Sequence, residues 1–167
     1  MTTEIAGAAR PPGSPLARWA GLAAFGLAVT AVAVLGSLAV TGTSNEYASL
    51  ERPVWAPPSW LFGPVWTILY AMIAVSGWLV WRRVGVGAPL LPYAVQLLLN
   101  AAWTPIFFGA GAYGWALVDI AALWWAIAAT VVAFRPVSRP AALLLVPYWL
   151  WVSYATALNA SIWWLNR

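Results

Sequence analysis

The chain has 167 residues, of which 63% are hydrophobic and only 7% are charged. Soluble domains carry about 25% charged residues, so this composition excludes an ordinary soluble protein. The sequence contains no Cys and no His, and all eight of its basic residues are Arg. It therefore has no disulfide or thiolate, lacks the commonest general base and metal ligand, and has no lysine for a Schiff base. No metal site is predicted.

The N-terminal residues 1–18 are predicted to form a disordered cytoplasmic tail, because three prolines stand between residues 11 and 15. A cleaved signal peptide is the alternative, since Arg10 and Arg18 precede an apolar segment. That segment runs for about 24 residues, whereas the apolar part of a signal peptide spans about 7–15. An uncleaved membrane helix is therefore favoured.

The rest of the chain, 19–167, is predicted to form one membrane domain. A lipid-exposed backbone must be hydrogen-bonded within helices or a closed barrel, and the apolar segments show no period-2 alternation. Each segment is close in length to the helix of about 20 residues that crosses about 30 Å of hydrocarbon. The fold class is therefore an all-α integral membrane bundle of five transmembrane helices. The predicted helices span residues 19–41, 62–81, 89–108, 113–134 and 141–164.

The distribution of arginines predicts the orientation of the bundle. One side carries Arg10, Arg18, Arg82, Arg83, Arg135 and Arg139, and the other carries Arg52 and Arg167. Because positive residues favour the cytoplasmic side, the N-terminus is predicted inside, with the long 42–61 loop and the C-terminus outside. The net charge of +4 resides in these helix-end arginines and does not predict nucleic-acid binding.

Polar and aromatic residues share helical faces in four of the predicted spans, at separations of three, four or seven residues. By span, the sets are Phe62, Trp66 and Tyr70; Gln96, Asn100, Trp103, Thr104 and Phe107; Trp115 and Asp119; and Trp151, Ala155 and Asn159. At about 1.5 Å per residue, most of these residues fall in the outer half of the membrane, beneath the long loop. This arrangement predicts an aromatic pocket with the loop as its lid.

Structural roles are the alternative for several of these residues. Gln96, Asn100 and Asn159 can equally be hydrogen-bonding contacts between helices. Asp119 is the only carboxylate within a span, and a structural partner is favoured over a ligand or proton role. Tryptophans near span ends are typical of interfacial anchors, and these are Trp19, Trp60, Trp78, Trp81, Trp163 and Trp164.

Six sequence motifs follow one another between residues 55 and 159. They are WAPPSW (55–60), FGPVWTILY (62–70), QLLLNAAWTPIFFG (96–109), GWALVD (114–119), PYWLW (147–151) and ATALN (155–159). In order and spacing they resemble the TspO/MBR family, the tryptophan-rich sensory proteins of bacteria and the mitochondrial translocator protein. The resemblance covers about 40–167.

The resemblance implies a five-helix bundle, commonly a homodimer, that binds tetrapyrroles such as protoporphyrin and haem, and also sterols and benzodiazepine-like ligands. Porphyrin or haem is then a ligand, and no cofactor is obligatory. Taken with the shared helical faces and the loop, the resemblance predicts a set of ligand-binding residues. The set is Trp55, Pro57, Phe62, Trp66, Asn100, Trp103, Phe107, Trp115, Asp119, Trp151, Ala155 and Asn159.

The predicted function is a membrane protein that binds tetrapyrroles and acts in porphyrin sensing, transport or regulation of tetrapyrrole metabolism. One alternative is light-dependent porphyrin degradation, because Trp66 and Trp151 match the pair implicated in that reaction in bacterial relatives. These two residues would be catalytic only in that case. A further alternative is an interaction scaffold for another membrane protein. The helix-five sterol motif of mitochondrial members is not matched, because Ala160 stands at its Tyr position.

Overall fold

The computed structural model describes residues 13–40 and 46–167, and neither range contains a strand. The helices are α1 (Pro15–Val40), α2 (Glu46–Ser49), α3 (Phe62–Val84), α4 (Leu90–Thr104), α5 (Tyr113–Phe134), α6 (Arg139–Leu144) and α7 (Val146–Leu165). A 3-10 turn, Ser59–Leu61, leads into α3, and a π-helical turn, Pro105–Gly109, continues α4. Five helical segments are long and apolar enough to cross a membrane, which confirms the predicted five-helix class.

The first helix begins at Pro15, before the predicted start at residue 19. The backbone N–H of Ala17 donates to Ser14 Oγ at 3.1 Å, so Ser14 caps the helix. Pro15 takes the first helical position, where its missing N–H has no helical partner to lose. The proline-rich composition therefore marks a helix start at this point. Residues 1–12 of the predicted tail lie outside the described residues.

Prolines also account for the irregular segments of the third and fifth spans. Pro105 has no N–H for the preceding turn, and a π-helical turn follows, with Ala110 N donating to Pro105 O at 2.9 Å. In the fifth span α6 ends at Leu144 and α7 begins at Val146, just before Pro147. At both interruptions, backbone N–H and C=O groups lack helical partners and must be hydrogen-bonded by neighbouring residues.

The five long segments form a closed ring. In this ring α1 packs between α3 and α4, α5 packs between α4 and α7, and α6 closes against α3. Small residues permit the closest approaches: a Cβ added to Gly77 of α3 would lie 2.6 Å from the Tyr93 ring and 2.7 Å from the Phe25 ring. The ring is therefore tightly joined at the level of Gly77.

The two ends of the ring differ in how they are filled. At the end where α3 and α5 terminate, the interior is solid, with Ile73, Ile127 and Phe134 fully buried. Tyr93 stacks on Phe134 with ring centroids 5.8 Å apart, and its hydroxyl donates to Ile73 O at 3.1 Å. The opposite end, next to the connection 46–61, is hollow.

Candidate ligand-binding site

A cavity of about 630 Å³ occupies the hollow end of the ring. Small-molecule sites typically measure about 300–1,000 Å³, so a sizeable ligand fits. The lining comprises Ala33, Gly36 and Ser37 of α1; Tyr47 and Ser59 of the connection; Phe62, Gly63, Trp66, Thr67 and Tyr70 of α3; Asn100, Trp103, Thr104, Phe107 and Phe108 of the third span; Ile120 and Leu123 of α5; and Trp151, Val152, Ala155, Leu158, Asn159 and Ile162 of α7.

Most of the predicted ligand-binding set lines this cavity. The residues that do so are Phe62, Trp66, Asn100, Trp103, Phe107, Trp151, Ala155 and Asn159. They come from α3, the third span and α7, so the shared helical faces of three spans point into one space. Their rings pack against one another: Trp103 stacks on Phe107 at 4.9 Å between centroids, and Phe62 meets Trp151 edge-on at 6.0 Å.

Asn100 ties three helices together at the floor of the cavity. Its Oδ1 accepts from the Tyr70 hydroxyl of α3 at 3.0 Å, and its Nδ2 donates to the Tyr148 hydroxyl of α7 at 3.0 Å. Tyr148 is 0% exposed, so this network holds buried polar groups that would otherwise lack partners. Asn100 therefore serves as an interhelical contact as well as lining the cavity.

Asn159 makes a second interhelical link, nearer the loop. Its Oδ1 accepts from Trp103 Nε1 at 3.0 Å, and its Nδ2 donates to Tyr113 O at 3.0 Å. The side chain is 1% exposed. The bond from Trp103 therefore fixes its indole ring against α7, and the indole N–H is already paired within the protein.

Trp151 differs from Trp103 in this respect. Its Nε1 is buried, and it has no hydrogen-bond partner within residues 13–40 and 46–167. Leaving a buried donor unpaired is costly. The Trp151 side chain lines the cavity, while its Nε1 is enclosed by protein atoms.

The loop before α3 covers the hollow end through a small number of defined contacts. The Tyr47 hydroxyl donates to Pro57 O at 3.0 Å, and the Tyr154 hydroxyl of α7 donates to Trp55 O at 3.1 Å. Asn166 Oδ1 accepts from the Glu51 backbone N–H at 3.1 Å, and Asn166 Nδ2 donates to Glu51 O at 2.9 Å. Trp55 and Pro57 thus belong to the cover over the cavity and do not line it.

Tyr47 places an aromatic ring between this loop and the cavity. Its ring meets Phe62 edge-on at 5.4 Å, and the Arg52 guanidinium lies 4.7 Å from its centroid on the exposed side. Burial raises the pKa of the Tyr47 hydroxyl above its ordinary value, while Arg52 opposes that shift. The hydroxyl therefore stays protonated at neutral pH and remains a donor to the loop.

The structure does not bring Trp115 and Asp119 into the cavity. The inward face of α5 is formed by Ala116, Ile120 and Leu123, all buried. Trp115 precedes Ala116 by one residue, which rotates it about 100° away, and it is 73% exposed on the outer surface. Asp119 lies beside the inward face, and its Oδ2 is buried without a partner among the described residues.

Three tyrosines of the site stood outside the predicted ligand-binding set. Tyr70 and Tyr47 line the cavity, and Tyr148 supports its floor through Asn100. For Tyr70 the signal was present, because it shares a helical face with Trp66. Gln96 shared a face with Asn100 but does not line the cavity, and its amide has no partner within the described ranges.

Comparison with known proteins gives a consistent set of relatives. The TspO/MBR family model matches residues 24–165. The human translocator protein is 44% identical over 151 residues, covering 87% of this chain and 89% of that protein. The tryptophan-rich protein TspO of Chlorobaculum tepidum is 46% identical over 124 residues, with coverages of 72% and 78%. Protein CrtK of Rhodobacter capsulatus is 37% identical over 151 residues, with coverages of 87% and 94%.

Proposed function

The chain belongs to the TspO/MBR family, and we propose that it binds a tetrapyrrole such as protoporphyrin or haem in the cavity beneath the loop. Binding there serves porphyrin sensing, transport or regulation of tetrapyrrole metabolism. The observation that carries the proposal is an aromatic-walled cavity of about 630 Å³ lined by Phe62, Trp66 and Trp151 among others.

The cavity walls suit a large flat ring system. Aromatic rings on α3, the third span and α7 offer faces and edges for offset stacking, which stabilises such contacts by about 0.5–1.5 kcal/mol per pair. Trp66 lies 5.1 Å from Tyr70 between centroids, and Trp103 lies 4.9 Å from Phe107. These pairs hold each other in place before a ligand arrives.

The polar groups suit a ligand that carries carboxylates on one edge. Trp151 Nε1 is an unpaired donor on a side chain that lines the cavity. A turn of that ring toward the ligand would allow a charge-assisted bond to a carboxylate. Arg52 stands over Tyr47 at the loop side and supplies a positive charge for a propionate that reaches the loop. Without His or Cys in the sequence, the favoured ligand is metal-free porphyrin, or haem held without a strong axial ligand.

A titration in the dark tests this proposal. Protoporphyrin added to the detergent-solubilised chain should quench tryptophan fluorescence in a saturable manner, with one porphyrin per chain. Phe62→Ala opens the cavity wall and should weaken binding. Trp78→Phe is the matched control, because Trp78 stacks on Trp19 at 6.2 Å and lies outside the cavity. Quenching that does not saturate, or equal affinity in both variants, would contradict the proposal.

Light-dependent porphyrin degradation is a second candidate, favoured because Trp66 and Trp151 line the same cavity. An indole beside an excited porphyrin can donate an electron to it, and dioxygen is then the oxidant for the overall breakdown. This reaction needs light and no general acid–base pair.

The proposed orientation places the N-terminus in the cytoplasm and the cavity end outside. The assignment rests on the six arginines at the N-terminal side of the bundle, against two at the opposite side. A reporter enzyme fused after Arg167 should be active only on the external side. A cytoplasmic signal from that fusion would reverse the orientation.

A further inference from the structure

A second cleft lies at the solid end of the bundle, away from the cavity. It measures about 630 Å³ and is shallow, and three arginines line it. Arg83 comes from the end of α3, while Arg135 and Arg139 flank the turn between α5 and α6. We call this group of Arg83, Arg135 and Arg139 the arginine cleft.

Among residues 13–40 and 46–167, no carboxylate lines the arginine cleft. Within the described part of the chain, Glu46 and Glu51 belong to the connection at the opposite end, and Asp119 lies in the first half of α5. Like charges held together without counter-charges repel, so an anion bound between them lowers the free energy.

The turn that carries two of these arginines is firmly held. Ser138 N donates to Phe134 O at 2.7 Å, and Phe134 is buried against Tyr93. Arg83 Nη1 donates to Val137 O, which ties the end of α3 to the same turn. The backbone beneath Arg135 and Arg139 is therefore preorganised, and an anion that binds there does not have to order it.

Two further observations set the depth and the surroundings of the cleft. Trp78 stacks on Trp19, and its Nε1 donates to Arg18 O at 2.8 Å; such tryptophans mark the level of lipid headgroups. The remaining lining of the cleft is apolar and includes Val132, which is 72% exposed on α5. The arginines thus stand at headgroup level above an apolar, lipid-facing surface.

We propose that the arginine cleft binds the phosphate headgroup of an anionic phospholipid, with an acyl chain lying along the exposed face of α5. Arginine guanidinium groups suit this chemistry because two N–H groups can donate to one phosphate. The apolar surface around Val132 selects a lipid over free phosphate, since inorganic phosphate gains nothing from contact with it. This site is separate from the porphyrin cavity and does not depend on it.

Native mass spectrometry of the full chain in detergent tests the proposal, with phosphatidylglycerol and phosphatidylcholine of equal chain length as probes. Arg135→Gln/Arg139→Gln should weaken phosphatidylglycerol binding about 25-fold. Each arginine near a lipid surface contributes about fivefold, equivalent to about 1 kcal/mol. Arg52→Gln/Arg167→Gln removes the same charge at the opposite end and should leave the affinity within about twofold, because neither residue lines the cleft.

Three results would overturn the proposal. They are equal weakening in the two double variants, equal affinity of the wild type for the two lipids, and displacement of phosphatidylglycerol by an equal concentration of inorganic phosphate. The last result would assign the site to free phosphate. Unchanged helix content and porphyrin binding show that the cleft variant is folded. Arg139→Gln alone, with an expected fivefold loss, carries the test if the double variant does not fold.

Discussion

The same substitution should affect different properties at two tryptophans of the cavity. Trp103 and Trp151 both line the ligand space, but only Trp103 Nε1 has a partner, Asn159 Oδ1 at 3.0 Å. Replacing each by Phe keeps an aromatic ring and deletes the N–H. Trp103→Phe should therefore destabilise the ligand-free protein, whereas Trp151→Phe should mainly weaken ligand binding.

The expected magnitudes follow from these hydrogen bonds. Trp103→Phe leaves the Asn159 carbonyl oxygen buried and unpaired, at a cost of about 1–3 kcal/mol. Interhelical bonds in membranes average about 0.6 kcal/mol and reach about 1.7, so the lower half of that range is expected. Trp151→Phe removes a donor that is already unpaired and loses no such bond. A charge-assisted bond to a ligand carboxylate contributes about 1.5–3 kcal/mol, so its affinity for protoporphyrin should fall about 10- to 150-fold.

The two effects are measured on the wild type and the two variants, each with and without protoporphyrin. Unfolding in a mixed-detergent titration, followed by circular dichroism, gives the free energy of the ligand-free state. Fluorescence quenching in the dark gives the affinity. Both variants replace an indole by the smaller phenyl group, so the difference between them reports the effect of the indole N–H. If Trp151→Phe were as destabilising as Trp103→Phe while both bound protoporphyrin equally, the assignment of Trp151 Nε1 as a free donor would be refuted.

Three other outcomes are expected. Gly77→Ala should lower the free energy of unfolding by about 1–3 kcal/mol, because its Cβ has no room. Gly26→Ala, whose Cβ meets nothing within 4 Å, should not lower it in the same mixed-detergent titration. Tyr154→Phe removes the 3.1 Å bond to the loop backbone and should speed porphyrin dissociation about two- to tenfold in stopped-flow measurements; an unchanged rate would exclude the loop as a lid. Under illumination at matched occupancy, Trp66→Phe should stop the loss of the porphyrin absorption band and Trp78→Phe should not, whereas equal loss in both would assign the chemistry to free porphyrin.

The apolar segments predict the bundle well because a bilayer leaves a chain few choices. The predicted ends of the fourth span coincide with α5, and those of the second and third lie within a few residues of the observed helices. Pro15 belongs to the predicted tail but begins α1, because proline is common both in disordered tails and at the first position of a helix. Which applies depends on the side chain before it, here Ser14.

The inward face of α5 could not be predicted in the same way. Lipid and protein interior are equally apolar, so hydrophobicity does not say which side of a membrane helix faces its neighbours. Trp115 and Asp119 form the more polar face of this segment, and for that reason the sequence predicts that they line the pocket. The small and branched residues at 116, 120 and 123 occupy that place instead, because they fit the close packing against α4 and α7.

The solid end of the ring bears on how anything could cross the membrane through this protein. The cavity lining reaches no further along α3 than Tyr70 and no nearer the start of α4 than Asn100. Beyond that level Gly77 of α3 is in close contact with Phe25 of α1 and with Tyr93. Within the described residues the cavity lining therefore does not extend through the bundle to its other end. Passage of a solute through the ring would require α1 and α3 to part at Gly77, a motion that reception of a signal or delivery to a partner at the loop end does not need.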